Sequence, residues 1–266
     1  MCRDLAIVFD VAGTILKMFR VAKDIQKGHL IENVVTSDLI MEKGGRALVV
    51  PQMEPSEVIS YQPYLPMSSV FSNTCIEISC SSTPVAREEA TKLLCTSEAK
   101  ISNLQEAYSI VAARCPSAYQ TMGAIVDVDL MELSYAICTA GKPFPGLLHV
   151  LQELILLPAD VYVASGDSRR SLLYLANLGF LQDRIYSVAT PMRKRDIVIS
   201  LKHHYKMVIM VGDGLNDLLA LEAADLGVLT VQQDSHPRPC LFQAADKVIK
   251  NIEELPVLLR DHQKLN

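Results

Sequence analysis

From Gly146 onward the hydrophobic positions switch between two periods. "GLLHVLQELIL" sets Leu147, Val150, Leu151, Leu154 and Ile155 along one helical face, and the Val-rich "DVYVAS" behind it reads as a strand. The alternation repeats. A helix in "SRRSLLYLANLG" closed by Gly179, a short strand "RIYSVA", a helix "MRKRDIVISLKHHY", a strand "MVIMVGD" and a helix "DLLALEAA" follow in turn. Strands "LGVLTV" and "KVIK" and a helix in "IEELPVLLRDH" complete the series. Near-continuous apolar strands between amphipathic helices predict an α/β fold whose parallel sheet is covered on both faces. The early run "LAIVFD" has the same character and joins this sheet.

Residues 18–140 interrupt that rhythm. They are richer in Ser, Pro and Thr, and the span "VPQMEPSEVISYQPYLPMSSV" is punctuated by proline. Strands are expected in "RALVVP", "CIEIS", "GAIVDVD" and "SYAICTA", with helices in "PVAREEATKLLCT" and "ISNLQEAYSIVAARC". "MEKGGRALVV" reads as a hairpin turn. A segment of this size between the first strand and the rest predicts an inserted second domain, leaving 1–17 and 141–266 as the core.

Composition narrows the classes. With 266 residues, half of them hydrophobic, the chain can bury a substantial core. A net charge of −5, from 25 basic and 30 acidic residues without a basic stripe, argues against nucleic acid as a partner. Seven cysteines, Cys2 among them, form no CxxC pair, which fits reduced thiols better than disulfides or zinc. "MCRDLAIVFD" lacks the shape of a signal peptide, and "LLHVLQELILLPADVYVA" is broken by Glu153, Pro158 and Asp160, so no membrane span is expected. The expectation is a soluble cytoplasmic protein; its oligomeric state is open.

Ligands of open parallel sheets bind beyond the carboxyl ends of the strands. Those ends carry Asp10 after "AIVF", Ser165-Gly166-Asp167 after "VYVA", and "GDGLND" from Gly212 to Asp217 after "MVIMV". Asp10, Asp213 and Asp217 gathered together would need a cation to stay ionised, and an all-oxygen donor set on small turns suits Mg²⁺. Glycines such as Gly13 and Gly166 let backbone approach an anion, and Ser165 can donate its hydroxyl to phosphate. Lys194 supplies a point charge, although Arg193, Arg195, Lys202 and Lys206 nearby leave a solvated basic helix face as the alternative. A carboxylate nucleophile beside phosphate donors is apparatus for an aspartyl-phosphate intermediate.

"VFDVAGTIL", "VYVASGD", Lys194 and "VGDGLND" resemble, in order, the four motifs of the haloacid dehalogenase superfamily of aspartate-nucleophile phosphotransferases. "SGDSRRSLLYLANLGF" and "PMRKRDIVISLKHHYKMVIMVGDGLNDLLALEAADLGV" are similar to the phosphorylation domain of P-type ATPases, and "AIVDVDLMELSYAICTAGKPFPGLLHVLQEL" to its return from an inserted domain. The resemblance implies a Rossmann-like core with an α+β cap at 18–140 and a Mg²⁺-dependent phosphohydrolase acting on a small phosphorylated metabolite. It also implies Asp10 as nucleophile, Ser165 and Lys194 on the transferring phosphoryl group, and Asp213, Asp217 and the Ala12 carbonyl with Asp10 around the metal. Gly13, Thr14, Gly166 and Asn216 fall on the phosphate side of these motifs. Thr14 either meets the phosphate or packs its turn, and Asn216 either orients Ser165 or Asp217 or stabilises its own turn. Asp167 is expected to cap the following helix, and His203 and His204 to lie on a helix surface.

Ala12 departs from the pattern. Many phosphatases of the superfamily carry there an Asp that serves as general acid, P-type ATPases carry Thr, and phosphonoacetaldehyde hydrolases carry Ala in a similar "DxAGT". Two further readings therefore stand beside the phosphatase. One is a C–P bond hydrolase using a cap lysine among Lys17, Lys23, Lys27, Lys43, Lys92 and Lys100. The other is a P-type-ATPase-like regulator with weak or no turnover.

Overall fold

A computed structural model describes residues 3–71, 75–116, 119–157, 159–233 and 237–265; Cys2 and Pro158 lie outside them. In chain order the strands are β1 (Arg3–Phe9), β2 (Leu16–Asp24), β3 (Leu30–Glu32), β4 (Arg46–Pro51), β5 (Ile76–Ser81) and β6 (Tyr119–Asp127). They continue as β7 (Glu132–Pro143), β8 (Ala159–Ala164), β9 (Ile185–Tyr186), β10 (Tyr205–Gly212), β11 (Leu226–Thr230) and β12 (Lys247–Ile249). The chain divides into two compact units, one running to Met18 and resuming at Pro143, the other Phe19–Lys142.

The first unit is built on a sheet of order β12-β11-β10-β1-β8-β9. Every neighbouring pair in it is parallel. Val208, Ile209, Met210 and Val211 are all fully buried, so both faces of β10 are covered and no polar alternation survives in its sequence. Ala6, Val8, Val208, Met210 and Leu229 pack with Ile197, Val198 and Leu201 of the helix Pro191–Lys202. Central β1 lies between β10 and β8, which puts the strand-order reversal, and the crevice it creates, at the carboxyl end of β1.

Several local features depart from the sequence expectation. The expected helix at 168–179 is one α-turn, Arg169–Leu172, followed by a 3₁₀ segment, Leu173–Leu178, before Gly179. Its cap is Ser168, whose hydroxyl accepts the Ser171 N–H at 3.2 Å; Asp167 is engaged elsewhere. The helix after Thr190 ends at Lys202, so His203 and His204 are exposed in the turn leading to β10.

The second unit holds a sheet of order β3-β2-β7-β6-β4-β5. Alternate residues of β6 and β7 serve two cores. Ala124, Val126, Ala136 and Cys138 join the larger one with the helices Arg87–Thr96 and Ile101–Arg114, while Ile125, Tyr135 and Ile137 join Ala22 and Ile40 on the other face. The "KGG" stretch is a turn from the helix Thr36–Met41 into β4, not a hairpin, because β4 pairs with β5 and β6 rather than with the preceding segment. No disulfide joins the six described cysteines. Among the described residues no helix is long and apolar enough to cross a membrane.

Candidate active site

The site grows from the carboxyl end of β1. Asp10 follows Phe9 directly and donates its backbone N–H to Val211 O at 2.9 Å, which fixes the loop's first residue to β10. Gly13 then turns the chain at φ +84°, and a Cβ there would lie 1.8 Å from Asp213 Oδ2. Only glycine tolerates both that conformation and that proximity. At the end of β10, Gly212 leaves room of the same kind, since a Cβ would come within 2.6 Å of the Asp217 side chain. Asp217 can thus fold back, and its Oδ2 accepts the N–H groups of Asp213 and Gly214 at 3.1 Å each.

Lys194 comes from the opposite wall. In the helix Pro191–Lys202, capped by Thr190 Oγ1 accepting the Arg193 N–H, the buried positions are Lys194, Ile197, Val198 and Leu201. An ammonium therefore occupies an apolar-stripe position and is wholly buried, which overturns the solvated-face alternative for this lysine. Its Nζ donates to Asp10 Oδ1 at 2.5 Å and to Asp217 Oδ1 at 2.7 Å. Arg193, Lys202 and Lys206 are the residues of that basic cluster that face solvent.

Carboxylate oxygens of Asp10, Asp213 and Asp217 lie within 4.8 Å of one another, and at that separation each ionised pair repels by about 3 to 4 kcal/mol at an effective dielectric near 20. Burial, reinforced by the Asp217 charge, pushes the Asp10 carboxyl up from 3.8 to about 7, against the pull of Lys194. Burial would lower Lys194, but Asp10 and Asp217 outweigh it and hold the ammonium charged beyond its ordinary range. One cation serves two buried acids, with a third acid beside them. Asp10 Oδ2 and Thr14 Oγ1, both buried, have no hydrogen-bond partner.

The remaining candidates are placed less directly. Ser165, 2% exposed at the end of β8, donates its hydroxyl to Asp167 Oδ2 at 3.0 Å and accepts the Asp167 N–H at 3.2 Å. Asp167 thus serves Ser165 where the sequence suggested a helix cap. Gly166 is half-buried beside it. Asn216 is exposed in the 3₁₀ turn Leu215–Asp217, and among the described residues its amide bonds to neither Ser165 nor Asp217. Ala12 is half-buried and offers only backbone. A strand end that sequence reasoning passed over, β11, finishes in Thr230, whose hydroxyl is also buried without a partner. The rule applied to Asp10, Ser165 and Asp213 would have found it. In the second unit a separate cleft of about 500 Å³ includes Lys100 and Asn103. The first backbone donors of the adjoining helix are already taken, Ile101 N–H by Leu65 O and Ser102 N–H by Pro63 O, so it makes no anion cradle.

The model of the haloacid dehalogenase-like hydrolases matches residues 5–225, which runs from β1 past the GDGLND turn. The chain belongs to the haloacid dehalogenase-like hydrolases. This hydrolase is 35% identical over 253 residues to the "Soluble P-type ATPase-like phosphatase" of Methanocaldococcus jannaschii, the match covering 94% of this chain and 91% of that protein. It is 36% identical over 81 residues to "Copper-transporting ATPase PAA1, chloroplastic" of Arabidopsis thaliana, covering 30% of this chain and 8% of the transporter. Among solved structures, the catalytic domain of the CPx-ATPase CopB-B is similar with a TM-score of 0.49 at 17% identity, over 96% of this chain and 88% of that one.

Proposed function

We propose that this hydrolase is a Mg²⁺-dependent phosphatase that passes the phosphoryl group of a small phosphorylated molecule to Asp10 and then to water. The observation that carries the reading is the buried Asp10 carboxylate, one oxygen held by Lys194 and the other without a partner, with Asp213 and Asp217 within 4.8 Å. The phosphatase relative of near-equal length supports it.

The residues fit a hard divalent cation. Three carboxylates gather within 4.8 Å, Lys194 answers those of Asp10 and Asp217, and an orphaned buried oxygen of Asp10 is part of the set. Asp10, Asp213, Asp217 and the Ala12 carbonyl would hold Mg²⁺, which when bound withdraws charge from phosphoryl oxygens and lets the carboxylates remain ionised together.

The chain's own groups divide the work. An Asp10 oxygen attacks phosphorus, forming the aspartyl O–P bond as the leaving oxygen departs with the electron pair of the broken bond. Water then attacks the same phosphorus, which releases inorganic phosphate and restores the carboxylate. Lys194, kept charged by its two acids, orients Asp10 and offsets charge on the transferring group. The Thr14 N–H, only weakly taken by Val11 O at 3.4 Å, is the backbone donor for phosphate; the Gly13 N–H is held by Leu16 O at 2.8 Å, so Gly13 serves through its close turn, and Gly166 lies on the phosphate side beside Ser165. The Ser165 hydroxyl reaches a phosphate oxygen by turning from Asp167. Asn216 steadies the turn carrying Asp217. Ala12 supplies neither a proton to the leaving oxygen nor a base for the water, a loss of about 10²–10⁴-fold where such a group counts. The substrates best served are those whose leaving group departs as an anion. Residues 18–140 act as the cap that selects the substrate, and the cytoplasm is the pool of metabolites this reading fits.

The test is a panel of phosphorylated metabolites, with p-nitrophenyl phosphate and acetyl phosphate included, assayed on wild type and Asp10→Asn with magnesium or with chelator. Turnover by wild type with magnesium, lost in Asp10→Asn and in chelator, is expected. Equal turnover by the variant would overturn the role of Asp10.

A further inference from the structure

Two adjacent glutamines outside every motif hold the loop that carries Asp10. Gln232 and Gln233 occupy the bend that follows β11 and Val231, and the side-chain amide of each bonds to backbone atoms of residues 14–18. Gln232 Nε2 donates to Thr14 O at 2.6 Å, while its Oε1 accepts the Ile252 N–H at 3.1 Å. Gln233 Oε1 accepts the Met18 N–H at 2.8 Å, and its Nε2 donates to Met18 O at 3.3 Å. A primary amide is suited to this. It has a donor and an acceptor side by side, so it can pair with one residue's N–H and C=O as a neighbouring strand would.

The braced segment is short and has little slack. It begins at Asp10, tied to β10 through Val211 O, and ends at Met18, the last residue of the first unit before the chain enters the second. Between them Gly13 lies so close to Asp213 that a methyl group in place of its hydrogen would sit 1.8 Å from a carboxylate oxygen. Within the segment the loop has its own turn, with Ile15 and Leu16 N–H groups donating to Val11 O at 3.1 and 2.9 Å. That turn fixes the loop's shape but not its place. Its place is set at the start by β10, in the middle by Gln232 and by the Phe144 N–H, which donates to Ile15 O at 3.1 Å, and at the end by Gln233.

We infer that Gln232 and Gln233 are positioning residues: they register the Asp10–Met18 segment against Asp213, and through it the nucleophile against the rest of the acidic cluster. Their value to the reaction rests on the reading of Asp10 as nucleophile, but their bracing of the loop does not. A one-ångström misplacement of a reacting group can cost about 10²-fold in rate, so loss of a brace should appear in turnover before it appears in folding.

The experiment separates the two claims. Gln232→Ala, Gln233→Ala and the milder Gln232→Glu, which keeps the acceptor for Ile252 but loses the donor to Thr14, are compared with wild type far below their melting temperatures. Amide exchange is measured across residues 11–18 and across β10 as an internal control. Loss of the Gln233 bond should speed exchange at Met18 about tenfold and leave β10 unchanged. Turnover of p-nitrophenyl phosphate should fall about tenfold or more in kcat with KM little changed. Unchanged exchange in residues 11–18 would overturn the brace itself. Faster exchange with undiminished kcat would overturn the positioning role and leave a structural tie. If wild type hydrolyses no phosphate compound, the phosphatase reading fails while the exchange data still judge the brace.

Discussion

Each unit of the molecule buries a cation between carboxylates, and the two clusters are finished differently. In the second unit Arg46 donates to Asp127 Oδ2 at 3.4 Å, to Leu39 O at 2.6 Å and to Glu42 Oε2 at 3.1 Å, and its guanidinium lies 5.6 Å from the Tyr135 ring centre. Asp127 uses its other oxygen to accept the Leu130 N–H of the β6–β7 turn. Both Asp127 oxygens are engaged, and the guanidinium has three acceptors. In the first unit Lys194 also meets two acids, but a third stands within 4.8 Å and Asp10 Oδ2 has nothing to accept. A buried charge that is fully satisfied ties strands together; one left in deficit is arranged for something that arrives.

The most severe way to break the contrast is at Asp10. Asp10→Asn should abolish turnover, by about 10³-fold or more for a lost nucleophile, and weaken magnesium binding measured by calorimetry. The matching change in the other cluster, Arg46→Met, leaves Asp127 buried without its cation and should cost about 3–5 kcal/mol in urea unfolding. Its kcat at low temperature should stay within about twofold of wild type, since breaking a structural ion pair weakens the fold and leaves the reacting atoms untouched. Gly13→Ala comes next. Its Cβ must displace Asp213, so kcat on p-nitrophenyl phosphate should drop about 10²-fold while the circular-dichroism spectrum stays native.

A pH titration sharpens the same comparison. The folded Asp10 carboxyl is raised from 3.8 to about 7, so its contribution favours the native state below about pH 4 and is lost as pH climbs through 7. Metal-free wild type should therefore lose melting temperature across that window, Asp10→Asn should lose less, and magnesium should restore what wild type loses near neutrality. Ala12→Asp is the mildest change. It should raise turnover of alkyl phosphates, by up to about 10²-fold as general acid, with a smaller gain on p-nitrophenyl phosphate, whose leaving group needs a proton less.

The legible part of this molecule was its apolar periodicity and its strand-end polar residues. β10 could be read because full burial on both faces leaves a continuous run, "MVIMV", and Gly212 to Asp217 because a helix-bound turn needs small and acidic residues. Lys194 could be proposed but not separated from Arg193 and Lys202, because a basic helix face and a single buried lysine share one composition; the packing of Ile197, Val198 and Leu201 decides between them. The break of the 168–179 helix into a 3₁₀ segment left no signal in "SLLYLANLG", whose residues suit either geometry. Ser168 takes the cap expected of Asp167 because both types can accept a helix N–H. Gln232 and Gln233 were invisible for a different reason. They bond backbone, and backbone carries no side-chain identity to be matched.

In the proposed reaction Asp10 offers its open oxygen to phosphorus beside a divalent cation. A crystal structure of wild type grown with magnesium and beryllofluoride tests it without a substrate. Beryllium is expected on the Asp10 carboxylate, magnesium held with Asp213 and Asp217, and Lys194 still bonded to Asp10. Beryllofluoride bound elsewhere, or none bound while magnesium occupies the site, would contradict it.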